Sequence, residues 1–418
     1  MANSTKIIIT LMACTLMNFP RSAAQAIAKF EISITQEKVG LAIPVHVSLH
    51  NITFLPDSLL QLVELKGSSS KPVAFQIDQR AGRSLHWIAD GRLAGKKTYE
   101  LRKAKAGVFK AAIDFAKTDA TLTLSNNGKD LLRFVHGIVN PPAGVDTAYR
   151  KSGFIHPLFT PKGQELTRTQ PSDHYHHFGL WNAWTRLLYQ NDTFDLWNLA
   201  EKQGTVRFAK FLSIINGPVY GEYEALLEHV VFPKNRNESV VINEVQTIRV
   251  YPPAGEQNYY IVDMSMRMNC ATQSPVKLLQ YRYAGLGIRA TGEWNRNNST
   301  VMTSDGKNRR QADSSNAKWC MVQGSLGADH GGFVMMSHPT NYAHPEPLRV
   351  WPESMYDRGD VFVNFSPTKM QDWLLEPEKT YVLNYRFLVF NDVLKSTQAE
   401  LAWQNYAYRP EVIIRKGK

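Results

Sequence analysis

Short runs of alternating apolar and polar residues dominate the first hundred positions. Residues 30–34, 43–49, 59–65 and 71–77 each follow the two-residue period of a strand with one buried face. Turn-forming residues separate them: Pro56-Asp57-Ser58, Gly67-Ser68-Ser69-Ser70 and Ala81-Gly82, with Asp90-Gly91 inside the next run, residues 85–103. The spacing predicts a small β-sandwich over residues 27–115.

Beyond residue 120 the runs lengthen. Residues 219–232 and 239–251 alternate on either side of a polar turn. Over residues 259–269, Ile261, Asp263, Ser265 and Arg267 fall on one face, and Tyr260, Val262, Met264, Met266 and Met268 on the other. Residues 120–125, 131–137, 205–214, 275–289 and 380–390 also read as strands. Long neighbouring antiparallel strands imply one large sheet stacked on another over residues 116–418. Only residues 173–192 and 393–406 have room for helix, and the first is crowded with aromatics. The pattern shows no fixed-period repeat, Walker A loop or dinucleotide fingerprint, so nucleotide chemistry has no support.

Composition adds a compartment. Lys6, an apolar run over residues 7–19 and the small residues Ala24-Gln25-Ala26 read as a signal peptide at 1–26, with export to the periplasm or beyond. A lipid anchor at Cys14, within Leu11-Met12-Ala13-Cys14, is the competing reading, but residues 15–19 stay mostly apolar where an anchored chain turns polar. No later stretch reaches the ~18 apolar residues of a membrane span, so no integral membrane segment is expected. The net charge of +11 is spread along the chain, which suits polyanionic glycans as well as it suits a basic surface. Nucleic acid is not an expected partner of an exported protein. Cys270 and Cys320 remain after the leader and are free to pair or not.

Candidate chemistry concentrates in residues 171–184, PSDHYHHFGLWNAW. His174, His176 and His177 fall within four positions, beside Asp173 and near Trp181 and Trp184. A core has little use for so many polar ring nitrogens, and a surface has little use for the aromatics, so the stretch reads as a pocket wall. If it is extended, His174 and His176 share a face and His177 points away. Imidazoles exchange protons near neutral pH, and Asp173 is placed to fix a tautomer. A metal needs three or four ligands; His156, Glu228, His229 or His344 could complete a set, but no spacing requires it. Arg289, after Tyr281, Arg282, Tyr283, Gly285 and Gly287, would hold a carboxylate, sulfate or hydroxyl. The proline-bounded loop from His338 to Pro345 offers Asn341 and His344 to the same pocket. Glu222, Glu224 and Glu228 share one strand face, with Glu244 on the next strand as a possible partner carboxylate.

The motif Asp173-His174-x-His176-His177-x-Gly179-x-Trp181 resembles the signature of the PmoA-like family of bacterial exported proteins. So do Gly285-x-Gly287-x-Arg289 and His338-Pro339-x-Asn341, running to His344-Pro345-x-Pro347. The resemblance covers residues 120–390 and, more loosely, the N-terminal strands. It implies a β-supersandwich like that of aldose epimerases and polysaccharide lyases, in the company of carbohydrate-degrading enzymes. The family's label, methane oxygenase, is set aside because the chain has no membrane spans for that chemistry.

The resulting expectation is an exported all-β protein, a small N-terminal β-sandwich followed by a large antiparallel β-supersandwich. It acts on a saccharide by hydrolysis, elimination or epimerisation, without a metal or other cofactor. His174, His176 and His177 handle protons, Asp173 orients one ring and Arg289 anchors the substrate. His156, Trp181, Asn341 and His344 contact the sugar. A non-catalytic glycan-binding protein and a metal-dependent enzyme are the alternative readings.

Overall fold

The computed structural model describes residues 25–35, 40–80, 82–105, 107–253 and 258–417. It is an all-β protein built from antiparallel sheets. The leader reading falls on residues 1–24, outside the described residues, except that the first strand, Gln25–Ile34, already includes Gln25 and Ala26. Among the described residues no helix is long and apolar enough to cross a membrane.

The first unit is a small sandwich. A five-stranded sheet faces a three-stranded one made of Ile43–Ser48, Ser84–Ala89 and Phe75–Asp78. Phe30, Ile32, Val45, Leu62, Leu85, Trp87 and Leu101 fill the space between. The alternating residues 71–77, expected as one strand, form two: Ser69–Val73 stays in the larger sheet and Phe75–Asp78 crosses to the smaller. One edge strand of the five comes from the far end of the chain, where Val412–Lys416 pairs with Gln25–Ile34. At the other border, Asp114–Lys117 pairs with Thr121–Asn126 in the second unit, so the division falls before residue 114 and not between 115 and 116.

The second unit stacks a nine-stranded sheet on an eight-stranded one. Leu180, Leu286, Ile288 and Val363 from the former meet Val206, Tyr223, Val262, Met266 and Phe387 from the latter in one core. The strand Tyr259–Cys270 alternates as its sequence predicts, with Tyr260, Val262, Met264, Met266 and Met268 buried. Residues 275–289 break into Val276–Leu278 and Gly285–Arg289, which belong to different sheets. A helix, Ser396–Ala407, covers part of the outer face of the eight-stranded sheet. It buries Ala399, Ala402, Trp403 and Tyr406, an i, i+3, i+4, i+7 stripe, against Trp319, Met336 and Leu388. Residues 173–192 form no helix; their aromatics go into turns and the short strand Leu180–Ala183.

Cys270 and Cys320 are both free thiols. Cys270 donates to the Leu375 carbonyl at 3.3 Å, and Cys320 is buried in its own strand. Reductant is therefore expected to leave the thermal midpoint unchanged. A native bridge, typically ~2–4 kcal/mol, would instead make the midpoint fall by several degrees.

Candidate functional site

The site is built on the outer face of the nine-stranded sheet. Leu180 and Asn182 of the strand Leu180–Ala183 face inward, and Asn182 reaches Glu244 of the opposing sheet at 2.7 Å. Trp181 therefore faces out, opposite Gly287, and in the next strand pair Arg289 lies opposite Phe362. A Cβ on Gly287 would sit 2.8 Å from the Trp197 ring and 3.3 Å from Phe362. The missing side chain is what lets Trp197, Trp181 and Phe362 close together over the sheet.

Residues 171–177 cross this floor as consecutive turns. His174 N–H donates to the Pro171 carbonyl at 2.9 Å and His177 N–H to the His174 carbonyl at 3.0 Å. Strand alternation does not apply to such a backbone. His177 does not point away: its ring stacks on His174 at 4.8 Å, and His176 stands edge-on to both, at 5.3 Å from His174 and 4.8 Å from His177. Gly179, at φ +61°, ends the turn where a Cβ would lie 2.4 Å from the Ile155 carbonyl, so glycine is required.

The three imidazoles line a cavity of about 190 Å³. Trp197, Trp351, Tyr356 and Phe362 give it aromatic walls, and Asn198, Arg282, Tyr283 and Arg349 complete the lining. Asp173 Oδ2 accepts from His174 Nδ1 at 3.0 Å, which leaves Nε2 to accept from the Tyr356 hydroxyl at 3.0 Å. Tyr356 sits at φ +55°, a backbone conformation that bulky residues avoid and that functional sites often retain. His176 has no hydrogen-bond partner among the described residues. Burial, then the neighbouring His174 and Arg289, lowers its pKa to about 4. His177 is fully buried and, with His176 and Arg289 beside it, is held well below the usual imidazole range. Both rings are therefore neutral at pH 7.

Behind the wall lies an ionic clamp. The Arg289 guanidinium, 0% exposed, donates to Asp173 at 2.6 Å and to Asp360 at 2.9 Å, and sits 4.6 Å over Trp351. Asp360 also holds Arg168. Burial pushes the Asp173 carboxyl up, but bonds from His174 and Arg289 and the Arg289 charge outweigh it, and the group titrates well below the ordinary carboxylate range. Arg309, likewise buried, donates to the carbonyls of Trp351, Gly359 and Asp360 at 2.6–2.9 Å and fixes the loop that carries Tyr356.

Several expected site residues lie elsewhere. Arg289 is behind the cavity rather than in it: its Nη2 is shared by Asp173 and Asp360, and its Nη1 lies 3.4 Å from His177 Nδ1. Trp181 is 1% exposed and supports His177 and Trp197 from below; Trp197 and Trp351 border the cavity but are themselves buried, and the exposed aromatic ring of the lining is Tyr356. His156 points from its strand to Thr167 at 3.1 Å, outside the cavity. Asn341 and His344 do not join the histidines. Asn341 donates to Glu346 at 2.8 Å and His344 lies 3.0 Å from the Ser337 hydroxyl, in a buried hub under the helix where burial pushes the Glu346 carboxyl up to about 7.

The acidic strand also resolves. Glu222 pairs with Arg80 and Arg249, and Glu228 with Arg207 at 2.9 Å. Glu244, opposite Leu227 in the register, faces the other way and binds His229 at 2.9 Å between the two sheets. Among the described residues no three His, Cys, Asp or Glu side chains converge as a metal-ligand set. Sequence reasoning missed Trp351, Tyr356 and Asp360; the only local signal is the aromatic and acidic residues of WPESMYDRGD, residues 351–360.

A larger cavity, about 450 Å³, lies near Ile138, Lys151, Leu199 and Phe232. Three of its four cations are engaged by ion pairs or burial: Lys202 with Asp146 at 2.9 Å, Arg207 with Glu228 and Glu238, and Lys151 with the Val206 carbonyl at 2.8 Å; Arg150 donates from Nε to the Thr147 carbonyl at 3.3 Å. Burial lowers Lys151 to about 7 against the opposing charge of Glu244. The smaller histidine cavity is the better site because it combines an unengaged imidazole with a hydroxyl relay between aromatic side chains.

Comparison with known proteins places the chain in a family. Residues 121–404, well over half of the chain, match "Family of unknown function (DUF6807)", and the chain belongs to that family. No curated protein matches the sequence. Among solved structures, one described as "Putative kojibiose phosphorylase from human microbiome" is similar at a TM-score of 0.29 and 9% identity, over 72% of this chain and 36% of that one. This chain thus spans about a third of that protein's length, and so low a score carries no conclusion about activity.

Replacing Arg289 tests the clamp. Arg289→Ala takes the arginine from Asp173 and leaves Asp360 to Arg168, and is expected to lower unfolding stability by about 3–5 kcal/mol, measured by urea denaturation. A loss below ~1 kcal/mol, the range of an exposed pair, would show that the clamp is not what holds the wall.

Proposed function

We propose that this DUF6807 protein is a carbohydrate-active enzyme that performs acid/base chemistry on a saccharide ring in the histidine-lined cavity. One observation carries the reading: a neutral, unengaged imidazole faces the same ring-sized space as a tyrosine hydroxyl held by a His–Asp pair. At about 190 Å³ the space is below the ~300–1,000 Å³ of typical ligand clefts, which suits one sugar residue and not a folded polymer. The exposed ring of Tyr356, backed by the buried Trp351, matches the apolar face of a pyranose.

In this reading His176 takes the proton from the substrate. Tyr356 turns its one proton from His174 Nε2 to the departing or inverting oxygen, and His174, oriented by Asp173, positions the tyrosine beforehand. His177 and Trp181 support the rings from beneath. Arg289 is a positioning residue, since it reaches the site only through Asp173 and His177. Export and kinship with the PmoA-like proteins belong to the same proposal, and both fit a glycan substrate met outside the cytoplasm.

The test is product release from a glycan panel. His176→Ala is expected to cut turnover about 10²–10⁴-fold while the protein stays folded, and His156→Ala to leave turnover within a few-fold. Unchanged turnover in His176→Ala would overturn the assignment, and binding without any turnover in the wild type would favour a glycan-binding protein. The pH profile is a second check. A base whose folded pKa is about 4 keeps its function down through pH 6 and loses it as pH falls through 4, so the acid limb should lie near 4 and not near 6.5.

A further inference from the structure

The cavity is lined by three histidines, two arginines and two tyrosines, and by no carboxylate. This is unusual for a sugar site, where acidic side chains commonly accept hydroxyl protons. The nearby carboxylates are turned away and engaged: Asp173 and Asp360 hold Arg289, and Asp313 holds Arg349 at 2.7 Å and Lys369 at 3.4 Å. The arginines are not fully engaged. Arg282 is exposed and has no ion-pair partner among the described residues; its guanidinium rests 5.8 and 5.4 Å from the rings of Tyr281 and Tyr283, which pin it at the cavity. Arg349 commits Nη1 to Asp313, while the nearest partner of Nη2 is the Met355 sulfur at 3.9 Å. The site therefore presents guanidinium donors and no compensating anion of its own.

We propose that the substrate saccharide carries an anionic group, a uronate carboxylate or a sulfate ester, held by Arg282 and the free edge of Arg349. This rests on the acid/base reading of the same cavity and adds the substrate class to it. Planar or tetrahedral oxyanions match the guanidinium fork, and a chain with a net charge of +11 draws polyanions toward it. The aromatic walls then hold the ring while the arginines hold its charge, which fixes the orientation of the sugar relative to His176.

The experiment separates the two claims by measuring binding on the His176→Ala protein, where turnover plays no part. The probes are galacturonate, glucuronate and mannuronate oligosaccharides, their methyl esters, which keep shape and lose charge, and a sulfated galactose oligosaccharide with its desulfated form. At least one acid should bind 10-fold or more tighter than its uncharged counterpart. Arg282→Gln, an exposed substitution that leaves the fold intact, should remove that preference by a factor of about 10–100. Arg349→Gln should do the same, with Asp313 still held by Lys369. Preference within the uronate arm identifies a carboxylate, and within the sulfated arm a sulfate. Equal binding of charged and uncharged forms, a preference that survives Arg282→Gln, or binding to none of the acids would overturn the proposal. Acid-selective binding with no turnover in the wild type would leave the anion site standing and refute the catalytic reading instead.

Discussion

The site depends on one buried cation. Arg289 ends an interior strand on the outer face of the nine-stranded sheet, with no exposed surface, and joins two segments far apart in the chain. Asp173 belongs to the histidine turn and Asp360 to the loop that carries Trp351 and Tyr356. Neither segment has a regular ladder of its own to hold it. A buried guanidinium is costly unless it is paired, and Nη2 of Arg289 is paired with a carboxylate from each loop, which couples the docking of one to the other. Geometry between His176 on one loop and Tyr356 on the other follows from that coupling. Gly287, one layer below, makes the floor flat enough for the aromatic rings to support it.

A second ionic arrangement has a different task. Glu222, Arg249, Asp263 and Arg386 lie in register across four neighbouring strands of the eight-stranded sheet, alternating in sign. Strands stand ~4.8 Å apart, so Arg249 and Asp263, in the middle of the row, each lie between two opposite charges. Arg80 from the small sandwich joins the row at Glu222. The row thus ties the first unit to the outer face of the second, as the strand Val412–Lys416 does from the far end of the chain. A cavity of about 310 Å³ remains there, but its carboxylates are neutralised by arginines in the same row, which suits joining surfaces better than proton transfer.

The sequence made the fold class legible because long strands state their period plainly, as residues 259–269 do. The histidine stretch reads as a pocket wall, and the three imidazoles do line a cavity. The errors have physical causes. A run of alternating residues does not reveal that the chain changes sheet at Ala74 or leaves one at residue 279. His177 was expected to point away because an extended backbone was assumed, whereas Pro171 and Gly179 enclose turns. Arg289 and Trp181 were expected to face the substrate because strand alternation gives a face but not what covers it. Tyr356 and Asp360 stayed unseen because their partners lie more than 70 residues away, and nothing local marks such a pair.

The clustering of imidazoles beside guanidiniums explains the protonation state of the site. Each positive neighbour disfavours a second charge, and burial adds to this, so the rings can share the wall only if they stay neutral. Asp173 and Asp360 do not reverse the effect, because Arg289 takes up their charge. The arrangement yields a base that is never blocked by protonation near pH 7, at the cost of being a weak one. A weak base suffices only where the proton it removes is made more acidic by its surroundings. In the proposed reading, the guanidinium edges of Arg282 and Arg349, which line the same cavity, supply that electrostatic help.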